Sequence, residues 1–395
     1  MSIKTVRLGD ICDIVSGGTP SRSKIEYWQD GTIPWIKIGN IKGKHVAEAD
    51  EHITKAGLDG SSAKMLSKGT ILYTIFATLG EVGILDIEAC TNQAIAGISI
   101  REPSEIISDY LYYYLKSKKN YVNGIGRGVA QNNINMSILR DFSLPLPTIG
   151  QQNEIVIILD KVSSVIALRQ QQLSTLDNLI KARFVEMFGN PFDTLKWDVK
   201  ELKEVSESMV DGSNVNPDFY ESEGDVLFLR IQNVWRNEFR LDDSVYISKD
   251  INKEQYYDTS LKTGDLLITK IGRYYTKDSS LGRVSVYRGK DDCANYSNNI
   301  MCVRLNDSVN SEFVNVLLNL DDYQSFIKRT SKGGTDKRAL SKSLIGSYPI
   351  IMPPKELQDE FVDFINQVNK SKAVVNKALN ETQLLFDSLM QQYFG

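Results

Sequence analysis

The stretch Gln151–Gly189, QQNEIVIILDKVSSVIALRQQQLSTLDNLIKARFVEMFG, contains no proline, and no glycine before its last residue. Stepping four then three residues from Ile155 gives Leu159, Val162, Ile166, Arg169, Leu173, Leu176, Ile180, Arg183 and Met187, and eight of these ten positions are apolar. The same stepping from Phe361 gives Ile365, Val368, Lys372, Val375, Leu379, Thr382, Phe386, Leu389 and Tyr393, again eight of ten. A sustained 3.5-residue period predicts a helical seam packed against another helix. Thr148 and Gln151 fit a capping box at the first helix start. Arg169, Arg183, Lys372 and Thr382 interrupt the seam; they either fix its register or extend their stems along its edge.

The two seams belong to a duplication, which a search for internal repeats exposes directly. Gly31-Thr-Ile-Pro-Trp-Ile-Lys-Ile-Gly-Asn-Ile41 aligns with Gly224-Asp-Val-Leu-Phe-Leu-Arg-Ile-Gln-Asn-Val234. Lys68–Thr74 aligns with Thr263–Thr269, and Leu79-Gly-Glu-Val82 with Leu281-Gly-Arg-Val284 after an insertion around Arg273–Asp278. Asn92 and Gln93 face Asn298 and Asn299, and Phe142–Pro147 faces Tyr348–Pro353. From Gln152/Gln358 to Phe188/Phe394 the offset stays at 206.

Each copy opens with short apolar or alternating runs punctuated by Gly, Asn, Asp and Lys (Ile33–Ile41, Thr70–Phe76, Val226–Val234, Asp265–Ile271), which read as strands and turns. A short helical pattern follows at Asp109–Lys116 and at Glu312–Leu320. The expected architecture is α+β: two globular mixed α/β lobes, at 1–150 and 190–354, separated by two long antiparallel helices, at 151–189 and 355–395. The helices would form an intramolecular coiled coil with pseudo-twofold symmetry, since neither can bury its stripe alone. Pairing between chains is the alternative. A rod of that length, about 50 Å at 1.5 Å per residue, is long enough to hold two readers one DNA turn apart, about 34–36 Å.

The chain has 395 residues and a net charge of −4, so polyanion binding would require cations gathered on one face. Amides and guanidinium groups pair with base edges, and lysines suit phosphates. The candidates in the first copy are Thr19, Ser21 and Arg22 in a Gly-rich loop, Lys37, Asn40, Lys42 and Lys44 after the matched strand, and Arg127, Gln131, Asn132 and Asn133. Those in the second are Ser213, Asn214, Arg230, Asn233 and Arg236, the inserted Lys270, Arg273, Tyr274 and Lys277, and Lys332, Thr335, Lys337 and Arg338. Each group also reads as an ordinary solvated loop; recurrence in both copies favours a shared role.

Catalytic signatures are missing. Gly124-Ile-Gly-Arg-Gly128 lacks the dinucleotide spacing, there is no P-loop, and Asn190-Pro-Phe192 lacks one proline of the amino-methyltransferase tetrapeptide. No His follows His52, and the four cysteines are scattered, without metal spacing, and read as core residues. No apolar run approaches a membrane span, and Met1–Asp10 lacks the apolar core of a signal peptide. A cytosolic protein without catalytic residues, metal or cofactor of its own is expected.

Val6-Arg-Leu-Gly-Asp10, Ser16-Gly-Gly-Thr-Pro20, Ile33–Ile41, Pro145-Leu-Pro147 with Gln151–Glu154, and Phe184–Gly189, with their second-copy partners, resemble the specificity (S) subunit of type I restriction-modification enzymes. The resemblance covers essentially the whole chain; the first copy follows the pattern better, since Val-Leu-Phe replaces Ile-Pro-Trp in the second. It implies two target-recognition domains, each reading half of a gapped site in double-stranded DNA, and spacer helices that hold two methyltransferase (M) subunits. It places S-adenosylmethionine on those subunits, and ATP with Mg on restriction (R) subunits. Two rivals are a DNA methyltransferase or nuclease with an unfamiliar site, and a protein scaffold that never touches DNA.

Overall fold

The computed structural model describes residues 4–126, 133–193, 196–276, 278–334 and 336–395. They divide into two compact units, Met1–Gln170 with Lys377–Gly395, and Gln171–Asn376. Each of the two long helices, Ile149–Phe188 and Lys355–Phe394, therefore gives one half to each unit.

In the first unit a five-stranded sheet runs in the order Cys12–Ser16, Ile95–Ile100, Ile71–Thr74, Val82–Leu85, His45–Val46. A three-stranded sheet places Ile33–Ile36 between Glu51–Ile53 and Cys90–Thr91, and Lys4–Arg7 pairs with Ser143–Leu146. The second unit repeats the scheme. Ser206–Asp211, Ile300–Leu305, Leu266–Thr269 and Val284–Val286 form one sheet, and Val226–Leu229 lies between Val245–Ile247 and Ala294–Tyr296 in another. Even the register recurs: Ile71 faces Ile98 as Leu266 faces Val303. The fold is α+β, as the residue pattern predicts.

Matched residues turn out to share a structural duty. Thr74 and Thr269 each end a central strand, and each hydroxyl accepts a backbone N–H from across the hairpin, from Glu81 at 2.8 Å and from Arg283 at 2.9 Å. Gly80 and Gly282 hold positive φ, 79° and 69°, in the corresponding turn, a conformation glycine adopts without steric cost. Gln152 and Gln358 are fully buried in the first turns of the long helices. Gln152 Oε1 accepts from Ile107 N at 3.1 Å while Nε2 donates to Pro147 O at 2.9 Å; Gln358 does the same with Asn310 N and Pro353 O, both at 2.9 Å. These contacts fasten each helix to the loop that starts the short helices Ser108–Ser117 and Ser311–Asn319.

Along both long helices every seam position is buried or half-buried, and Thr148 and Gln151 exchange the reciprocal bonds of a capping box. In the second unit, Arg183 reaches Glu360 at 3.3 Å and Lys372 reaches Asp177 at 2.5 Å. Moving back along the first helix thus moves forward along the second, so they run antiparallel. Two seam interrupters are cross-helix ion pairs rather than solvated stems. Phe184 and Phe188 stack with Phe313 and Phe361 in that unit's core. In the first unit Leu159, Phe386, Met390 and Phe394 join the tyrosines of Ser108–Ser117.

Two expectations need correction. The strand expected over Ile33–Ile41 stops at Ile36, and that over Val226–Val234 stops at Leu229 before resuming as the short strand Val234–Trp235. The reason is local: the side chains of Asn40 and Asn233 accept from Lys37 N and Arg230 N, both at 2.9 Å, and turn the backbone. Cys293 is exposed, whereas Cys12, Cys90 and Cys302 are buried. Burial pushes the Cys12 thiol up to about 12, Cys90 to about 11, and Cys302 upward as well.

Two outcomes follow. Gln358→Leu leaves Asn310 N–H and Pro353 C=O without partners and should lower unfolding stability by about 2–3 kcal/mol, read from urea melts; a loss below about 0.5 kcal/mol would mean water replaces the clamp. The native chain should show one thiol reactive to an aromatic disulfide at about pH 8, and all four after unfolding, since thiolate availability governs attack; two or more fast native thiols would contradict the burial.

Candidate nucleic-acid interface

After Thr269 the second unit adds to what the first has. A strand, Ile271–Arg273, runs antiparallel to Lys337–Ala339, which pairs with Lys332–Gly333; its first pair, Ile271 with Ala339, matches the Phe76–Asn133 bridge of the first copy, and the insertion begins at its far end. This small sheet joins segments some sixty residues apart, so Arg273 lies beside Lys337 and Tyr274 meets Arg338, with Lys332 on the outer strand. The Arg338 guanidinium sits 3.9 Å from the centre of the Tyr274 ring, and Tyr274 N donates to Asp336 O at 2.7 Å. Tyr275 meets Tyr274 edge-on at 5.0 Å and is 75% exposed. Lys332, Lys337 and Arg273 are exposed, and Arg273 lies 3.7 Å from Asp336.

Lys270 connects this sheet to the loop at 211–214. Its Nζ meets Asp211 at 2.6 Å and its N–H donates to Asn299 O. Ser213 bridges Ser297, and its hydroxyl lies 2.7 Å from that of Thr259; Asn214 is exposed. Ser297 N in turn donates to Leu229 O, one residue before Arg230. Four of the expected groups in this copy are therefore neighbours. The result is a basic and aromatic surface carrying at least three exposed cations, with donors positioned by backbone pairing.

Asn233 does not belong to that surface. It is fully buried, and its amide donates to Arg240 O and to Asp243, both at 2.9 Å. Arg230 is half-buried and pairs with Asp243. Asp243, bonded by Gln232 and beside Arg230, is held below the usual carboxylate range. Arg236 is exposed. Next to it Trp235 is sandwiched between Arg240, 3.5 Å from the ring centre, and Arg283, at 3.7 Å. Arg283 is buried and donates to the carbonyls of Ser279, Asp278 and Val234. Sequence reading passed over Trp235 and Arg283, although a tryptophan flanked by arginines was the available signal.

In the first unit the expected groups converge on a residue that the sequence did not single out, Glu51. Arg22 meets it at 2.6 Å and Lys37 at 2.5 Å, and these two cations lower its pKa. Arg22 also lies 3.6 Å from the Trp28 ring centre, and Trp28 meets Trp35 edge-on at 5.1 Å. Thr19 hydrogen-bonds Gln93, and the Ser21 hydroxyl lies 2.8 Å from that of Ser23. Lys42 is exposed. Asn133 bridges Phe76, as 337–339 pairs with 271–273 in the other copy. Lys44 needs correction: it is tied to Asp109 and Asp160, both at 2.6 Å, and anchors its loop to the long helix. Asn40 is occupied with the Lys37 turn described above. Arg127, Gln131, Asn132, Lys277 and Thr335 lie outside the described residues.

Among the described residues no three His, Cys, Asp or Glu side chains cluster to hold a metal, and no helix is long and apolar enough to cross a membrane. The geometry is one of loops gathered for contact.

The chain is 27% identical over 290 residues to the type I restriction enzyme MjaIX specificity subunit of Methanocaldococcus jannaschii, covering 66% of each chain. It is 28% identical over 164 residues to the EcoR124I/EcoR124II specificity subunit of Escherichia coli, covering 40% of each. The matched part thus spans between about two fifths and just under two thirds of these relatives. A solved chain from work on complex assembly and conformational transition of the type I R-M system shares the fold, with a TM-score of 0.55, 17% identity and coverage of 100% of this chain and 99% of that one. The family model of the type I restriction modification DNA specificity domain matches twice, over residues 2–178 and 194–383, in register with the internal duplication. The chain belongs to the type I restriction modification DNA specificity domain family.

Proposed function

We propose that this chain is the DNA-reading subunit of a type I restriction-modification complex and that each copy reads one half of a bipartite, gapped duplex site. The observation that carries the reading is the small sheet formed by Ile271–Arg273, Lys337–Ala339 and Lys332–Gly333. It leads into a copy-specific insertion and presents Arg273 and Lys337 beside the Tyr274–Arg338 stack, with Lys332 on the outer strand. Exposed cations suit phosphates and position the protein, while side chains of an inserted segment can differ between the two lobes, as two different half-sites require. In the other copy, Thr19, Ser21, Arg22, Lys37 and Lys42 take the corresponding role. Engaging a phosphate there would mean drawing Arg22 or Lys37 away from Glu51.

The long helices carry side chains that their seam does not use. Ile157, Val165, Leu168, Leu384 and Leu385 are exposed in the first unit, and Leu179, Val185 and Val374 in the second. Such apolar surface supports docking of methyltransferase subunits on the helices. Methyl transfer with S-adenosylmethionine, and ATP-driven translocation and cleavage by restriction subunits, then reside on those partners, with this chain non-catalytic and located with them in the cytoplasm.

Two experiments test the reading. Co-expression with a cognate methyltransferase subunit and genome-wide mapping of methylated adenines should give a split motif. Replacing residues 191–354 by those of a related chain should change one half of it; a change in both halves, or no motif, would contradict modular reading. Arg273→Ala should weaken duplex binding by the complex and reduce the slope of log K against log salt by about 0.9, the loss of one phosphate contact; an unchanged slope with unchanged sequence preference removes Arg273 from the interface.

A further inference from the structure

Three segments of the first unit converge on one side chain, Arg22. In the three-stranded sheet Trp35 stands opposite Glu51. Trp35 Nε1 donates to Gly18 O at 2.9 Å and Trp28 Nε1 to Ser21 O at 3.1 Å, so two indoles hold the loop that leads to Arg22. Gly18 N donates to Thr91 O at 2.9 Å and Thr19 hydrogen-bonds Gln93, which ties the same loop to the third strand of that sheet and the turn after it.

On this base the Arg22 guanidinium lies over the Trp28 ring, 3.6 Å from its centre, and 5.1 Å from the centre of Trp35. Its Nη1 meets Glu51 Oε2 at 2.6 Å. Contact with an aromatic face sets the plane of a guanidinium, and a carboxylate at one edge sets its direction. Glu51 is held in turn. Lys37 Nζ lies 2.5 Å from its other oxygen, Oε1, and Lys37 is itself placed by the turn at Asn40. Bonded by Lys37 and Arg22, the Glu51 carboxyl stays below the usual carboxylate range and remains charged.

Arg22 is not used up by these contacts. Its side chain is 54% exposed, and among the described residues its guanidinium meets no polar partner besides Glu51. Arginine has five N–H donors in a fixed fork, so adjacent donors are left for a ligand.

A phosphate and a base edge ask different things of such a group. A phosphate is drawn by net charge and accepts from many directions. Glu51 cancels one of the two positive charges here and would lie beside the incoming anion, which disfavours a phosphate at Arg22. The guanine edge is neutral and offers two acceptors, O6 and N7, in one plane. A guanidinium held in a single orientation matches that pair bidentately.

We propose that Arg22 reads a guanine in the half-site of the first copy, and that Glu51 is the positioning residue that holds its fork. The inference rests on the DNA-reading role proposed above and adds to it the side chain and the base.

The test uses the complete chain in complex with a cognate methyltransferase subunit. Mapped methylated adenines should give a split motif, and its first-copy half is the one that replacing residues 191–354 leaves unchanged. That half should contain a fixed G·C pair. Arg22→Lys, which keeps the charge and loses the fork, should make this pair degenerate and leave the other half as it was. In competition binding with four duplexes that differ only there, the native complex should prefer guanine by about five- to a hundredfold. Arg22→Lys should erase most of that preference, and Glu51→Gln, which keeps the size of the side chain, should lower the same preference severalfold. Thermal melts confirm folded variants. An Arg22→Lys motif identical to the native one, or degeneracy at an A·T pair, overturns the proposal. So does an Arg22→Ala complex with unchanged base preference and a slope of log K against log salt reduced by about 0.9, since the arginine would then sit on a phosphate. Glu51→Gln that strengthens binding to all four duplexes alike would make the carboxylate a mask over the cations and overturns its positioning role. A native complex that gives no split motif removes the DNA-reading role and the inference with it, whereas a native split motif indifferent to Arg22→Lys removes the inference alone.

Discussion

The apolar stripe spaced at 3.5 residues along Ile149–Phe188 and Lys355–Phe394 has to leave water, and the main core of each unit is built around it. A 40-residue helix with one such face is marginal alone. Within the second unit its rings become part of the lobe: Phe184 and Phe188 share a core with Phe313 and Phe361, and each buried phenylalanine contributes on the order of 1.5–3 kcal/mol. Within the first, Phe386, Met390 and Phe394 fill the corresponding place among Tyr110, Tyr113 and Tyr114. The lobe cores are therefore completed by the helices, and the buried glutamines at the helix starts orient the lobe loops.

Duplication accounts for which residues recur. Thr74 and Thr269, Gln152 and Gln358, and Asn40 and Asn233 each satisfy backbone groups that would otherwise be unpaired, so each copy needs the same side chain at the same place, while Gly80 and Gly282 hold the same positive φ. What differs between copies is what the backbone does not require, such as the insertion around Arg273–Asp278.

Recurrence in both copies suggests shared contact with a ligand, but for Asn40 and Asn233 it marks a turn. Lys44 looked like a loop cation because its partners, Asp109 and Asp160, are 65 and 116 residues away. Glu51 drew no notice because a carboxylate argues against a polyanion site until Arg22 and Lys37 are found on it. The sheet that joins Arg273 to Lys337 could not be read either, since short strands such as Lys332–Gly333 have no periodicity of their own.

The chain order alone established the repeat, the two long helices, their seam positions and the α+β class, because these rest on periodicities of 3.5 and 2 residues and on a constant offset, all local properties of the string. Which cations are available and which are bound to carboxylates, and which matched polar residues serve the backbone, were settled only by tertiary structure. The physical reason is that hydrogen bonds and ion pairs act over about 3 Å in space, between residues whose separation along the chain carries no information about their distance.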